Sequence, residues 1–228
     1  MKSRTSRITI SKENYLKAIA EAESEGETVI AATLVRWLGV SAPAVTMAIR
    51  RLQRDGLIRV NGKTGHVKLT VKGREIADRV LNRHHLIERM LAEIFGMEWY
   101  KVHDEAEQME HAVSTDFERK LIEKLGAGGP CPHGNEAGMN TPQDRRRSGL
   151  EPLGEAQPAA EVEVACVFER DRSLLEFLDG LGLKPGTRLE VVSRNYDATL
   201  TLRVDGRPVQ LGLPAANRVW VRRAAVGG

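Results

Sequence analysis

Cysteine is scarce in this chain of 228 residues: Cys131 and Cys166 are the only two, and neither belongs to a zinc-type Cys/His spacing. That excludes a disulfide framework, and in a reducing compartment both read as free thiols. Long apolar runs are also missing. No stretch reaches the about 18 residues that a membrane helix needs. The opening MKSRTSRITISKEN has no apolar stretch of the kind a secretory leader carries. The cytoplasm is therefore the expected compartment, with no membrane partner. No internal repeat is present. The length suits one large domain or two to three small ones.

Charge is nearly balanced overall, at +3, but not along the chain. Residues 1–75 hold 14 Lys/Arg against 7 Asp/Glu, and residues 76–125 hold 7 against 11 together with four of the six histidines. A basic first part suits a polyanion, and an acidic, His-rich middle suits a cation.

The middle is sharpest at Lys101–Arg119, KVHDEAEQMEHAVSTDFER, which reads as helix, cap, helix. His103, Glu107, Glu110 and His111 are spaced to share one helical face. No Lys or Arg stands among them, so the carboxylates repel unless a cation intervenes. His with Glu suits a first-row transition metal. One helix earlier, in LNRHHLIERML, His84 and Glu88 are four apart and face the same way. A solvated face with intrahelical pairs is the plainer account of either cluster alone. Both together, in adjacent helices, favour metal.

The basic part reads as a winged helix-turn-helix. Ser11 is the expected cap of a first helix that carries Asn14 and ends near Glu25-Gly26. A short helix spans Ala31–Leu38, and Ser41 caps a third, with Pro43 tolerated in its first turn. Val45, Ala48, Ile49 and Leu52 form the third helix's buried stripe. Leu57–Val60 and His66–Thr70 then flank a Gly-rich tip, the pattern of a hairpin. In the major groove, Ser41, Pro43, Ala44 and Met47 would face bases, Arg50 and Arg51 phosphates, and Lys63 the neighbouring backbone. The reading face has no Arg, Asn or Gln in its first turn, so apolar contacts and DNA shape would carry sequence preference.

Val71–Phe95 is expected as one long helix. Leu86, Ile87, Met90, Leu91, Ile94 and Phe95 give it a broad apolar arc, wide enough for a core and a second subunit. Ser114 caps the helix Asp116–Leu125. Residues 126–160 hold seven Gly and five Pro, with Arg145-Arg146-Arg147 in the middle, and read as an irregular connection. Cys131 and His133 fall in it and read as ordinary loop. Strands at Glu161–Phe168, Arg188–Ser193, Thr199–Val204, Pro208–Leu211 and Arg218–Arg222, with a helix at Ser173–Leu181, suggest a small β-barrel. The expected fold is mainly α with a small all-β C-terminal domain. Its parts are a winged helix-turn-helix over 1–75, a helical metal-binding and dimerisation domain over 76–145, a linker over 146–160 and a barrel over 161–228.

This order of parts resembles the iron- and manganese-dependent repressors of the diphtheria toxin repressor and manganese transport regulator family. The resemblance is most specific at ENYLKAI, VSAPAVTMAIRRLQRDGLI and KVHDEAEQMEHAVS. It implies a homodimer on double-stranded operator DNA that represses metal-uptake or metal-homeostasis genes when loaded. It also implies an SH3-like barrel similar to the ferrous-transport-A domain, and no enzymatic activity or small-molecule substrate. An ancillary ligand set falls on His84, Glu88 and His103, and the primary pair on Glu110 and His111. Glu107 stands where iron-type members have Cys and manganese-type members Glu. Asn14 stands where they have Met or Asp, and Lys17 where some manganese regulators carry a further carboxylate. Barrel ligands of iron-type members would fall near Glu169 and Asp171. With Glu107, Glu110, Asn14 and His111 the primary shell is hard, which favours Mn²⁺, then Fe²⁺, with Zn²⁺ or Co²⁺ able to enter in vitro. The rival is a helical metalloenzyme, but a di-metal centre of that kind wants Glu-x-x-His from two helices. Gln108 and Leu81 stand where those glutamates would be. A peptide-gripping adaptor leaves the basic wing unexplained.

Overall fold

A computed structural model describes residues 9–136 and 141–224. The chain forms two compact units, one drawn from Met1–Arg83 with Ala137–Pro142, the other from His84–Glu136 and Gln143–Gly228. Among the described residues no single helix is long and apolar enough to cross a membrane.

In the first unit α1 runs from Ile10 to Ser24. Its N-cap is Thr9, whose Oγ1 accepts from the Lys12 amide, and not the expected Ser11, which lies in the first turn. The two hydroxyl residues stand two apart. Only the extended backbone of Thr9 turns its oxygen toward the free amides. The helices α2 (Ala31–Leu38) and α3 (Ala42–Arg54) are joined through Gly39 in the left-handed region. The chain bends by 115° between them, as in a helix-turn-helix pair. Strands β1 (Ile58–Val60) and β2 (Val67–Leu69) pair antiparallel, with Arg59 opposite Lys68. Asn61 Oδ1 accepts from the amides of Lys63 and Thr64 and shapes the tip. Leu16, Ile19, Leu34, Val45, Leu52 and Leu57 form the core, joined by Ile76 and Ala77 of α4 (Val71–Arg89). Gly73 is required there. A Cβ on it would strike the Leu57 carbonyl oxygen, so the start of α4 lies directly against the wing.

The division between the units falls within α4, after Arg83. In the second unit the long helix is α only to Arg89. Met90–Ile94 widens into a π turn, and Gly96 at φ +66° ends it. The apolar arc divides: Leu86, Ile87, Met90 and Leu91 are buried with Val102, Ala106 and Leu121, whereas Ile94 and Phe95 are exposed. Helices α5 (Val102–Met109) and α6 (Thr115–Leu125) follow, with Ser114 capping α6 as expected. The stretch read as a connection is partly structured, and 137–140 lie outside the described residues. Helix α7 (Pro142–Arg147) sets the guanidinium carbons of Arg145 and Arg146 5.2 and 5.8 Å from the Trp220 ring centre. Strand β3 (Glu151–Pro152) and a single 3₁₀ turn carry Leu153 and Ala156 into the barrel core. Residues 151–156 thus belong to the barrel rather than to a 146–160 linker; Gly and Pro there make its edge.

The barrel sheet has the order β3-β8-β4-β5-β6-β7, every neighbour antiparallel. Its strands are β4 (Glu161–Val167), β5 (Arg188–Arg194), β6 (Thr199–Val204), β7 (Arg207–Gly212) and β8 (Val219–Arg223), with helix α8 (Arg172–Gly180) after β4 and the short α9 (Leu213–Ala216) before β8. Inward residues such as Val162, Val164, Val191, Leu200 and Leu202 alternate with outward polar ones. Asp205 and Gly206, at φ +48° and +77°, make the tight β6–β7 turn. The fold is mainly helical with a C-terminal SH3-like sheet.

Candidate metal centre and nucleic-acid interface

Two turns of α4 and one face of α5 bring the buried donors together. His84, Glu88 and His103 each offer an atom within 4.8 Å of the others, and none of the three is more than 4% exposed. His84 Nε2 lies 3.0 Å from Glu88 Oε1 and 3.0 Å from His103 Nδ1. His84 Nδ1 lies 2.7 Å from Glu110 Oε2, so with its proton there the ring donates to Glu110 and turns Nε2 inward. That is the orientation a carboxylate imposes on a metal-binding imidazole.

A second group forms around Cys131, in a stretch whose sequence reads as ordinary loop. His85, Glu88, Cys131 and Glu169 bring four donors within 4.8 Å. His133 is fully buried beside it, its Nδ1 3.5 Å from Glu88 Oε1 and 3.6 Å from Glu169 Oε2. Its Nε2 donates to the Trp99 carbonyl at 2.9 Å, which fixes the proton on that nitrogen and leaves Nδ1 for the cluster. The Cys131–Asn135 loop packs on β4: Val167 N donates to His133 O, and a Cβ at Gly134 would strike the Ala165 carbonyl. Cys131 and His133 were illegible because their partners lie on α4 and after β4. The only local signal was a Cys two residues from a His. Asp171 caps α8 instead.

The electrostatics are those of carboxylates held by imidazoles. Burial alone would raise the Glu88 carboxyl, but the His84 and His133 rings and hydrogen bonds from His103 and His133 hold it well below the usual range. Burial and the Glu88 charge would likewise raise Glu169, and His85 and His103 outweigh them. Burial, then Glu88 and Glu169, push the Cys131 thiol up. Burial disfavours a charged His133, yet Glu88 and Glu169 raise it. Two buried atoms, Glu88 Oε2 and His85 Nδ1, have no hydrogen-bond partner among the described residues. Nitrogen, carboxylate and sulfur donors in one buried group, with unmet lone pairs, fit a divalent transition metal.

The remaining expected ligands are placed differently from a single shared face. Helix α5 ends at Met109, so Glu110 is its C-cap and His111 lies in the turn beyond. Ideal helical spacing therefore does not carry to them. Glu110 bridges: Oε2 meets His84, and Oε1 lies 3.3 Å from His111 Nε2. Glu107 Oε1 accepts from Arg170 at 3.3 Å and lies 3.8 Å from His103 Nε2. No group of three donors containing Glu107 or His111 closes among the described residues. Asn14 lies on α1 of the first unit.

On the reading helix Ser41, Pro43, Ala44, Met47, Arg50 and Arg51 are all exposed, as is Lys63 at the wing tip. Met47 is 62% exposed, which no folding role explains. Arg59, Asn61, His66 and Lys68 line a recess on the hairpin.

The chain matches three family models in succession. These are the N-terminal DNA-binding domain of iron-dependent repressors over 7–66, their metal-binding and dimerisation domain over 70–137, and the FeoA domain over 151–223. It is 32% identical to the diphtheria toxin repressor of Corynebacterium glutamicum over 92% of this chain and 95% of that protein. It is 34% identical to the iron-dependent repressor IdeR of Mycobacterium bovis over 78% and 82%. A solved manganese-dependent transcriptional repressor in complex with manganese superposes with a TM-score of 0.83 at 31% identity, over 93% of this chain and all of that one. The chain therefore belongs to the diphtheria toxin repressor family and is a metal-dependent transcriptional repressor, not an enzyme.

Proposed function

We propose that this repressor is activated by Mn²⁺, with Fe²⁺ next, and that as a homodimer it holds operator DNA of metal-uptake or metal-homeostasis genes. The observation that carries the reading is the fully buried His84–Glu88–His103 group, tied through Glu110 to His111 and built without a Lys or Arg. A bound divalent cation supplies the permanent positive charge that group lacks. Asn14, Glu107, Glu110 and His111 form the primary set, as the family resemblance implies. His84, Glu88 and His103 form the ancillary set, joined by Cys131, His85 and Glu169. The primary set is oxygen and nitrogen only, which supports Mn²⁺; the thiol of Cys131 confines any softer preference to the other group. A structural relative described as manganese-dependent supports the same choice, while the curated relative IdeR is described as iron-dependent.

On DNA, Ser41, Pro43, Ala44 and Met47 meet base edges, and Arg50, Arg51 and Lys63 hold phosphates. The working division is residues 1–75 for DNA, 76–145 for metal and dimer, and the barrel from residue 151 onward. Exposed Ile94, Phe95, Phe117 and Ile122 suit a subunit interface. Residues 1–150 alone should still sediment as a dimer at micromolar concentration with metal present.

The test is operator binding titrated with metal. His111→Ala should lose Mn²⁺-dependent binding while keeping fold and dimer. Parental behaviour in that variant would overturn the reading. Activation by Zn²⁺ alone would keep the switch and overturn the metal. Arg50→Ala or Arg51→Ala should reduce the salt slope by about 0.9 and weaken all sequences alike.

A further inference from the structure

The loop between β4 and α8 touches α5 in a pattern that the metal-binding reading does not use. Asp104 and Glu107 stand three apart on α5 and share a face. Arg170 of the loop and Arg172, the first residue of α8, meet them: Arg170 Nη1 donates to Glu107 Oε1 at 3.3 Å, and Arg172 Nη1 lies 3.5 Å from Asp104 Oδ2. Trp99 Nε1 donates to Asp179 Oδ1 at 2.6 Å and closes the same seam. Arg170 directly follows Glu169, whose carboxylate belongs to the buried second group. One dipeptide thus places an anion in one set of donors and a permanent cation on a carboxylate of the other. Arginine cannot step aside by losing its proton.

We propose that Arg170 is a built-in competitor for Glu107 that sets how much metal is needed for activation. The inference rests on Glu107 being a metal ligand. The guanidinium holds Glu107 Oε1, an oxygen a cation at Glu107 would take. A divalent ion arriving at Glu107 must first replace that hydrogen bond, a contest for one oxygen that weakens capture only where the Glu107 carboxylate is present. Arg172, one helical turn away on Asp104, steadies the loop without entering the competition. Arg170 is thereby a positioning residue for the switch, tuning its threshold from the barrel side.

The test is direct Mn²⁺ affinity of the full chain, read from the free-ion electron paramagnetic resonance signal, in the parent, Arg170→Gln, Arg170→Lys and Arg172→Gln. A partly exposed pair of this kind is worth up to about a fivefold change. Arg170→Gln should bind about fivefold tighter than the parent, Arg170→Lys should lie between them, and Arg172→Gln should match the parent. In a Glu107→Gln background, Arg170→Gln should change nothing, because the contested carboxylate is gone. Equal or weaker binding by Arg170→Gln, with the parent still dependent on His111, overturns the competitor and leaves the metal site standing. The same gain in the Glu107→Gln background also overturns it, since the effect would then be a general field. Parental binding that ignores both His111 and Glu107 overturns the site itself, and the competitor with it.

Discussion

Both units bury charge, and they balance it differently. In the DNA-binding unit the buried cations are lysines. Lys12 lies 2.7 Å from Asp55, and Lys17 lies 3.9 Å from Glu21. Each sets an ammonium, a residue class that is cationic at neutral pH, against a carboxylate. In the sensor unit Glu88, Glu110 and Glu169 are held by His84, His85, His103, His111 and His133. An imidazole is a cation only while it keeps its second proton, and a metal ion can take that proton's place. Chemically similar burial therefore gives a permanent scaffold in one half and an exchangeable one in the other.

Removing Glu88 breaks this comparison most severely, because its carboxylate is common to both donor groups. Glu88→Gln keeps the shape and deletes the charge. The metal-free protein should lose about 3 kcal/mol in chemical denaturation, the scale for unpairing a buried ionic group. The parent should gain about 2.7 kcal/mol when free metal exceeds its dissociation constant a hundredfold. The variant should gain little. Hydrogen exchange should locate the parent's gain in α5 and its surroundings. An equal gain in Glu88→Gln would mean that the cluster is a scaffold after all.

Legibility in the sequence follows the same divide. Ala31–Leu38, the Ser41 cap, the hairpin and the barrel strands are set by local signals: a 3.6 or 2.0 period, a hydroxyl before a helix, Gly after it. His84, Glu88 and His103 were legible because one helical spacing covers the first two and the third sits on the next helix. Cys131, His133 and Glu169 reach the cluster only through contacts between distant segments, which no local period encodes. Glu110 and His111 were expected on the face of α5, but the helix stops at Met109 and turns them toward His84 and each other. Residues 151–156 read as linker because a short edge strand and a 3₁₀ turn carry no period at all.

A smaller change sharpens the contrast between the two donor groups. Cys131 lies 3.7 Å from His133 Nδ1 and 3.4 Å from Glu169 Oε2, in the group that shares only Glu88 with the other. Cobalt bound there should show a near-ultraviolet thiolate charge-transfer band. Cys131→Ser should abolish the band and weaken that group at least about tenfold, the least that losing even an outer-shell partner costs. Mn²⁺-dependent operator binding should shift less than it does in His111→Ala. A band that survives the substitution would exclude this sulfur as a ligand.

The smallest effect belongs to the fixed pairs. Lys12 on α1 meets Asp55 just past α3, and that hydrogen bond, against the opposing effect of burial, holds the Asp55 carboxyl below its ordinary range, with the Lys12 charge adding to it. The folded value is thus below the unfolded one. Its contribution is complete above the unfolded carboxylate value of about 3.9, and it is lost as pH falls through the folded one. At neutral pH a partly exposed pair is worth about 0.5–1 kcal/mol. Lys12→Met should cost about that much at pH 7 and progressively less as the pH drops below about 4, converging on the parent in strong acid. Manganese should leave this difference unchanged, since neither partner belongs to the donor groups. A Lys12→Met penalty that grows on acidification would reverse the sign and show that Asp55 is not held by this lysine.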